Sequence, residues 1–150
     1  MAKKFVRWET PFTDERLPSA TVMTGPNHPN YDLEVVVAPF GINTYPKYVV
    51  NFGDVVAFSC MEEMYFPERD FAEAECEEEG LAAYEFIDST WLESYRKGEY
   101  FLFNTDGENQ VELRHFLIVG GDNNIEVITK NLPKFRKVDD AKVEARAFVI

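Results

Sequence analysis

Cysteine and long apolar runs are scarce in this sequence, and each shortage excludes a class of protein. The two cysteines, Cys60 and Cys76, are too few for a disulfide framework and too far apart for a C-x-x-C redox or zinc motif, so we expect reduced thiols. The longest apolar runs, such as 35–38 and 116–119, have strand length, whereas a membrane helix needs about 20 residues. The basic start is not followed by an apolar stretch of signal-peptide length. We therefore expect a cytoplasmic protein.

Motifs for cofactors, metals and nucleophilic catalysis are also absent. Gly120 and Gly121 lack the glycine spacing that cradles phosphates, so no cofactor is expected. The two histidines, His28 and His115, have no cysteine or histidine at zinc-site spacing, and no EF-hand loop occurs, so no metal is expected. No G-x-S-x-G motif is present, and no serine has an evident base as its partner.

Positive charge is the third shortage. The chain has 15 Lys and Arg residues against 27 Asp and Glu residues, which gives a net charge of −12. A surface of this sign repels phosphate backbones and anionic lipids, so nucleic acids and membranes are not expected partners. A basic protein is the favoured partner. Solubility alone is the alternative explanation of the charge.

The length and composition predict one domain with its own core. The chain has 150 residues, and 45% of them are hydrophobic. Within it, four prolines in residues 1–31 predict an N-terminal segment that wraps the domain as irregular chain or short edge strands and is fastened by Trp8 and Phe12. We predict a single α+β domain over residues 1–150, mainly antiparallel sheet with one or two short helices packed on it.

Strand patterns dominate the chain beyond this segment. β-branched and aromatic residues predict a strand over 32–38, and one long or two short strands over 47–60 with a Gly-Asp pair between them. The strongest hairpin signal joins 111–119 to 125–129, because the Gly, Asp and Asn residues between them tolerate positive φ. Apolar residues on both faces of 111–119 indicate a sheet that is covered on both sides.

Two segments favour helices. A helix is predicted over 90–97, where Thr90 and Glu93 have the spacing of a capping box and basic residues precede Gly98. Residues 67–79 favour either a frayed helix or an acidic loop, because acidic residues at the end of a helix oppose its dipole.

Three segments resemble a group of small, uncharacterised bacterial single-domain proteins. They are Ser-Thr-Trp-Leu-Glu at 89–93, Arg-His-Phe-Leu-Ile at 114–118 and Ile-Glu-Val-Ile at 125–128. Proteins of this group share a Ser-x-Trp-Leu turn into a helix, a His-aromatic-aliphatic strand and a following Glu-Val-Ile strand. The turn at Gly120 and Gly121 departs from that pattern. The resemblance implies a bacterial protein and carries no activity with it.

His115 is the first candidate for a catalytic residue. It stands in an otherwise apolar strand, and imidazole titrates near neutral pH. A neighbouring carboxylate, either Glu126 in the next strand or Asp122 in the turn, would help it to act as a general base. The alternative is a buried imidazole that is hydrogen-bonded to the backbone.

Aromatic and acidic residues are the candidates for a binding surface. Tyrosine is favoured in interface anchors, and carboxylates attract a basic partner. The candidates are Tyr45, Tyr48, Tyr65, Phe66, Glu75, Glu77, Glu78 and Glu79.

Three functions are consistent with these features. The absence of catalytic motifs favours a non-enzymatic protein-binding module, similar to an immunity protein or an antitoxin, whose acidic surface holds a basic partner. A small hydrolase or transferase that uses His115 with a carboxylate is the second, and a structural or scaffold subunit is the third. The sequence leaves homo-oligomerisation open.

Overall fold

Ten strands and one short helix make up the regular structure of the described residues. The structure is a computed structural model that describes residues 4–23, 32–62, 75–76, 78–96 and 112–140. The strands are β1 (Lys4–Arg7), β2 (Ser19–Met23), β3 (Leu33–Ala38), β4 (Lys47–Gly53), β5 (Val55–Glu62), β6 (Glu75–Cys76), β7 (Ala83–Ile87), β8 (Arg114–Val119), β9 (Asn123–Thr129) and β10 (Lys134–Val138). Helix α1 (Thr90–Arg96) lies between β7 and β8. Across these ranges, no helix has the length and apolarity that crossing a bilayer takes.

The strands form two sheets. One has six strands in the order β5-β9-β8-β7-β1-β6, and the other has four in the order β10-β4-β3-β2. All described pairings are antiparallel except a short parallel contact between β1 and β6. The prediction of mainly antiparallel sheet is confirmed. The regular structure of the described residues is nearly all strand, however, because α1 has only seven residues and Glu75–Cys76, within the segment predicted as helix or loop, pair as β6.

The chain changes sheet at Gly53. Strand β4 belongs to the four-stranded sheet and β5 to the six-stranded sheet, although only Asp54 separates them. Gly53 has a φ of 69°, which glycine adopts without the crowding that a Cβ causes. A Cβ there would also lie 3.0 Å from Asn131 Nδ2. The predicted break between two short strands is therefore a crossing from one sheet to the other.

The main core lies between the two sheets and includes the N-terminal segment. Phe12, between β1 and β2, has no exposed surface and packs with apolar residues of both sheets. Trp8 packs on Phe116 of β8, with ring centroids 4.5 Å apart. Burial of a side chain as large as Phe12 contributes about 2–3 kcal/mol, which holds this segment to the core.

Strand β8 is covered on both faces, as its apolar pattern predicts. Phe116 faces the core between the sheets, whereas Leu117 belongs to a cluster on the opposite, outer face. Helix α1 covers part of this outer face through Leu92, which packs with Leu113 and Ile128. The helix therefore lies over the strands that carry His115 and Glu126.

Candidate functional site

His115 is hydrogen-bonded at both of its ring nitrogens. Ser89 Oγ lies 2.6 Å from Nδ1, and Glu126 Oε1 lies 2.9 Å from Nε2. Ser89 and His115 have no exposed surface, and Glu126 is 3% exposed. The order of hydroxyl, imidazole and carboxylate is that of a serine-hydrolase triad, but the ring nitrogens are exchanged, because in that triad the serine is bonded to Nε2 and the carboxylate to Nδ1. The structure thus brings His115 and Glu126 together as expected, and it adds a serine that the sequence did not reveal.

Each of these three hydrogen-bonded side chains is positioned by a different part of the fold. In the β8–β9 register Glu126 is opposite Leu117, so His115 is its diagonal neighbour, within reach of a long side chain. Ser89 ends the turn between β7 and α1, and its Oγ accepts a hydrogen bond from Leu92 N–H at 3.0 Å. Ser89 is therefore the N-cap of α1, one residue before the predicted cap, Thr90.

A neutral imidazole can make both of these hydrogen bonds. Ser89 Oγ already accepts the Leu92 N–H, and its own proton is free to be donated to Nδ1 of His115. The Nε2 proton is then donated to the Glu126 carboxylate. The buried imidazole is thus held by two side chains, not by the backbone bond that was the alternative expectation.

Catalysis by Ser89, His115 and Glu126 would require access to Ser89 Oγ. The described residues block this access. The Phe86 ring stacks on His115 with centroids 4.4 Å apart, and Trp91 meets it edge-on at 5.4 Å. Because the hydroxyl has no exposed surface, a substrate reaches it only if α1 or these rings move. In this conformation the three side chains cap α1 and fasten it to the sheet.

Asp122, the other candidate carboxylate, makes its hydrogen bonds to other residues. Its Oδ1 accepts hydrogen bonds from the N–H groups of Ala20 at 2.9 Å and Asn123 at 2.8 Å, and Oδ2 accepts one from Ser19 Oγ at 2.7 Å. Asp122 therefore ties the β8–β9 turn of one sheet to β2 of the other.

An exposed apolar patch lies beside this turn. Leu17, Phe40 and Ile42 are 54%, 64% and 60% exposed. With Asp122 they line one depression of about 460 Å³. We call these three residues the Leu17 patch. Neighbouring large apolar side chains with this exposure are typical of contact sites. Sequence patterns did not reveal the patch, because its residues lie among prolines and glycines that indicate turns.

The backbone of the Leu17 patch is strained and held in place. Leu17 has a φ of 48°, a left-handed conformation that costs a residue with a Cβ about 1–2 kcal/mol. Gly121 N–H donates to the carbonyl of Pro18 at 2.8 Å, and a Cβ on Gly121 would lie 3.0 Å from Leu17 O. Strain that the surrounding structure maintains tends to occur at functional sites.

The predicted aromatic binding residues either do not line this depression or lie outside the described residues. Tyr48 packs against the main core, with its ring 6.3 Å from that of Phe12. Tyr45 is half-buried, and Lys47 Nζ lies 4.8 Å from its ring centroid. The predicted binding groups outside the described part are Tyr65, Phe66, Glu77 and the side chain of Glu75.

The acidic segment is described at Glu78 and Glu79, and both are exposed. Arg7 donates to Glu78 at 2.9 Å and to Asp14 at 2.7 Å, and it also bonds Glu9. The guanidinium holds the pKa of the Asp14 carboxyl below its usual range. Glu78 thus joins the acidic segment to the N-terminal part of the chain. Within the ranges that the structure covers, no three His, Cys, Asp or Glu side chains are gathered as a metal site requires.

Cys60 is expected to react slowly with alkylating reagents. It is exposed on β5 and forms no disulfide. Partial burial of its sulfur, and then the charge of Asp122, raise the pKa of the thiol, so less thiolate is present at neutral pH. In a Cys76→Ser background, iodoacetamide at pH 7 should modify Cys60 more slowly than a cysteine in a short peptide, as mass spectrometry can follow. Asp122→Asn should raise the rate. A rate that equals the peptide's would contradict the shift.

Two arrangements therefore stand out in the described part of the chain. The triad of Ser89, His115 and Glu126 is complete in its hydrogen bonds but buried, whereas the Leu17 patch is open to solvent. No family model, no curated protein and no solved structure matches the chain, so the functional inference rests on this geometry.

Proposed function

We propose that this protein is a non-enzymatic protein-binding module, of the immunity or antitoxin type, that holds a basic partner against the Leu17 patch. The observation that carries the proposal is the patch itself, three large apolar side chains that are each more than half exposed. Their backbone is already ordered, with Leu17 held at positive φ. A preformed contact site loses little conformational freedom on binding, which favours affinity.

The charge of the chain selects the partner. A net charge of −12 attracts basic proteins and repels acidic ones. Asp122, exposed at the edge of the patch, places one of these charges beside the apolar contact. The complementary surface is an apolar anchor surrounded by Lys or Arg. A free Cys60 suits binding in the reducing cytoplasm.

The hydrolase alternative has the hydrogen-bond order of a triad but no access to its hydroxyl. An acylating probe such as a fluorophosphonate distinguishes the two functions, because it labels a serine only when the hydroxyl is reachable and activated. We expect no labelling of Ser89. Stoichiometric labelling that His115→Gln abolishes would favour the enzyme.

Leu17→Gly tests the proposal without unfolding the protein. The substitution removes one of the three patch side chains, and glycine adopts a φ of 48° without crowding, so stability should be unchanged or higher by up to about 1 kcal/mol. Loss of one buried leucine contact should weaken binding about tenfold or more. The measurement is the dissociation constant for the basic protein that the wild-type chain retains from its own cells.

Leu132→Gly is the matched control. Leu132 is 68% exposed and lines a different depression, with Asn131 and Lys134, after the end of β9 that is opposite to Asp122. It should leave the dissociation constant unchanged. A Leu17→Gly protein with wild-type affinity, or a retained partner that is acidic, would contradict the proposal.

A further inference from the structure

Within the described residues the two sheets have four edges, and two of these edges are poorly suited to pairing with a further strand. Strand β10 carries Lys134, Arg136 and Lys137, all exposed, and basic side chains on an edge oppose pairing with another strand. The described part of β6 is two residues long, so it offers little edge for pairing within the described residues.

The third edge, β2, is closed by side chains of the β8–β9 turn. Asp122 Oδ1 accepts the Ala20 N–H at 2.9 Å, and Asn123 Nδ2 donates to the Ala20 carbonyl at 2.9 Å. Both main-chain groups of Ala20 are therefore occupied. A further strand therefore cannot pair with β2 at Ala20, near the start of the strand.

The fourth edge, β5, has none of these protections. It is eight residues long, contains no Lys, Arg or Pro, and carries a single charged residue, Glu62. Phe58 and Met61 are 41% and 37% exposed, and Cys60 is also exposed. Among the described residues, β9 is the one strand that pairs with it. An edge of this length and composition is suited to adding a strand.

We infer that β5 binds an extended segment of the basic partner, which adds to the six-stranded sheet as a further strand. The inference rests on the proposed function and states how the partner is held. Main-chain hydrogen bonds supply affinity in this mode, and the side chains of the added strand supply specificity. Contacts with Phe58 and Met61 would favour apolar residues in the middle of the segment.

Charge at the two ends of β5 identifies the occupant. Asp54, with its side chain 84% exposed, precedes the strand, and the exposed Glu62 ends it. Lys130 Nζ lies 3.6 Å from Asp54 Oδ2. This exposed ion pair contributes little to stability. A segment of about 26 Å, apolar in the middle with Lys or Arg near its ends, complements this pattern. Antiparallel pairing of two copies would instead set Glu62 of each beside Asp54 of the other.

One end of the β5 edge lies near the Leu17 patch. The register sets Met61 opposite Asn124 and Glu62 opposite Asn123, directly after Asp122. Since Asp122 lines the depression of the patch, the end of β5 and the patch lie at the same turn. One partner can therefore contact both.

Three synthetic peptides test the inference. The probe is a fluorescein-labelled peptide with alternating valine and threonine between pairs of lysines, and its binding is followed by fluorescence anisotropy at low salt. Saturable binding should weaken about tenfold or more when glutamate replaces lysine. It should be lost when alternate residues are N-methylated along one edge, because the charge stays while the main-chain donors disappear.

Phe58→Lys places on β5 the kind of side chain that protects β10, and it should weaken peptide binding about tenfold or more. Ile87→Lys is the matched control, since Ile87 is 39% exposed but lies on β7, inside the same sheet. It should leave binding unchanged. The denaturation midpoint of each variant is measured as well. Peptide binding is compared between variants with the same midpoint, so that a folding defect is not mistaken for a binding defect.

The outcomes separate this inference from the proposed function. Binding that is indifferent to N-methylation, or equal for the acidic peptide, overturns strand addition. If the protein is a dimer and its β5 amides resist hydrogen exchange without peptide, a second copy of the chain occupies this edge. That result also overturns the inference. If the natural partner is lost with Leu17→Gly but kept with Phe58→Lys, only the strand addition fails. If neither substitution affects the partner, the proposed function fails as well.

Discussion

His115→Ala is expected to lower the free energy of unfolding by about 3 kcal/mol or more. The imidazole is fully buried, and its removal leaves Ser89 Oγ and the Glu126 carboxylate without their partner in a place that solvent does not reach. An unpaired buried polar group costs about 1–3 kcal/mol, and the cavity left by the ring adds to this. Urea denaturation measures the loss as a lower midpoint at an unchanged slope.

The partners of His115 provide graded controls. Ser89→Ala removes the helix cap together with the Nδ1 contact, so we expect a loss of about 2 kcal/mol. Glu126→Gln keeps an acceptor oxygen for Nε2 and should cost about 1 kcal/mol. A denaturation midpoint that His115→Ala leaves unchanged would contradict the buried network. It would favour an accessible, catalytic imidazole instead.

The pairing of His115 with Glu126 was predictable because it is local. Both residues lie in one hairpin, and its turn residues set the register that makes them diagonal neighbours. Ser89 comes from 26 residues earlier, so only the packing of α1 on the sheet brings it to the imidazole. A local signal was nevertheless present, since Ser89 immediately precedes the helix and is a favoured N-cap residue.

The assignment of strands to sheets was beyond the sequence patterns. Alternation and turn residues indicated two runs on either side of Gly53, but they carry no information about which sheet each run joins. That choice depends on long-range pairing, here β4 with β3 and β5 with β9. The exposure of the Leu17 patch has the same origin, because a turn residue is buried or exposed according to what packs around it.

Association with the basic partner is expected to be steered by charge and therefore to depend strongly on salt. Raising the ionic strength from 0.01 M to 0.15 M shortens the Debye length from about 30 Å to about 8 Å. With a net charge of −12, the association rate constant should fall about tenfold or more, whereas the dissociation rate constant should change little. Stopped-flow or surface-based kinetics at several salt concentrations measures both.

A quadruple substitution by glutamine tests whether the acidic segment is the steering surface. The substituted residues are Glu75, Glu77, Glu78 and Glu79. Glu78 is one of three carboxylates bonded to Arg7, and the remaining two, Asp14 and Glu9, keep that contact, so the fold should persist. The variant should associate more slowly and depend less on salt, because a charge cluster focuses the field more than scattered charges do.

The matched control removes the same number of charges from dispersed positions. Its substitutions to the corresponding amides are at Glu15, Glu93, Glu112 and Asp139. If net charge alone steers the encounter, both variants should slow association equally; if the acidic segment steers it, the first should slow association several times more. A field that guides a partner must weaken when salt screens it. An association rate constant that is unchanged by salt and by both sets of substitutions would therefore contradict steering. The charge would then serve solubility.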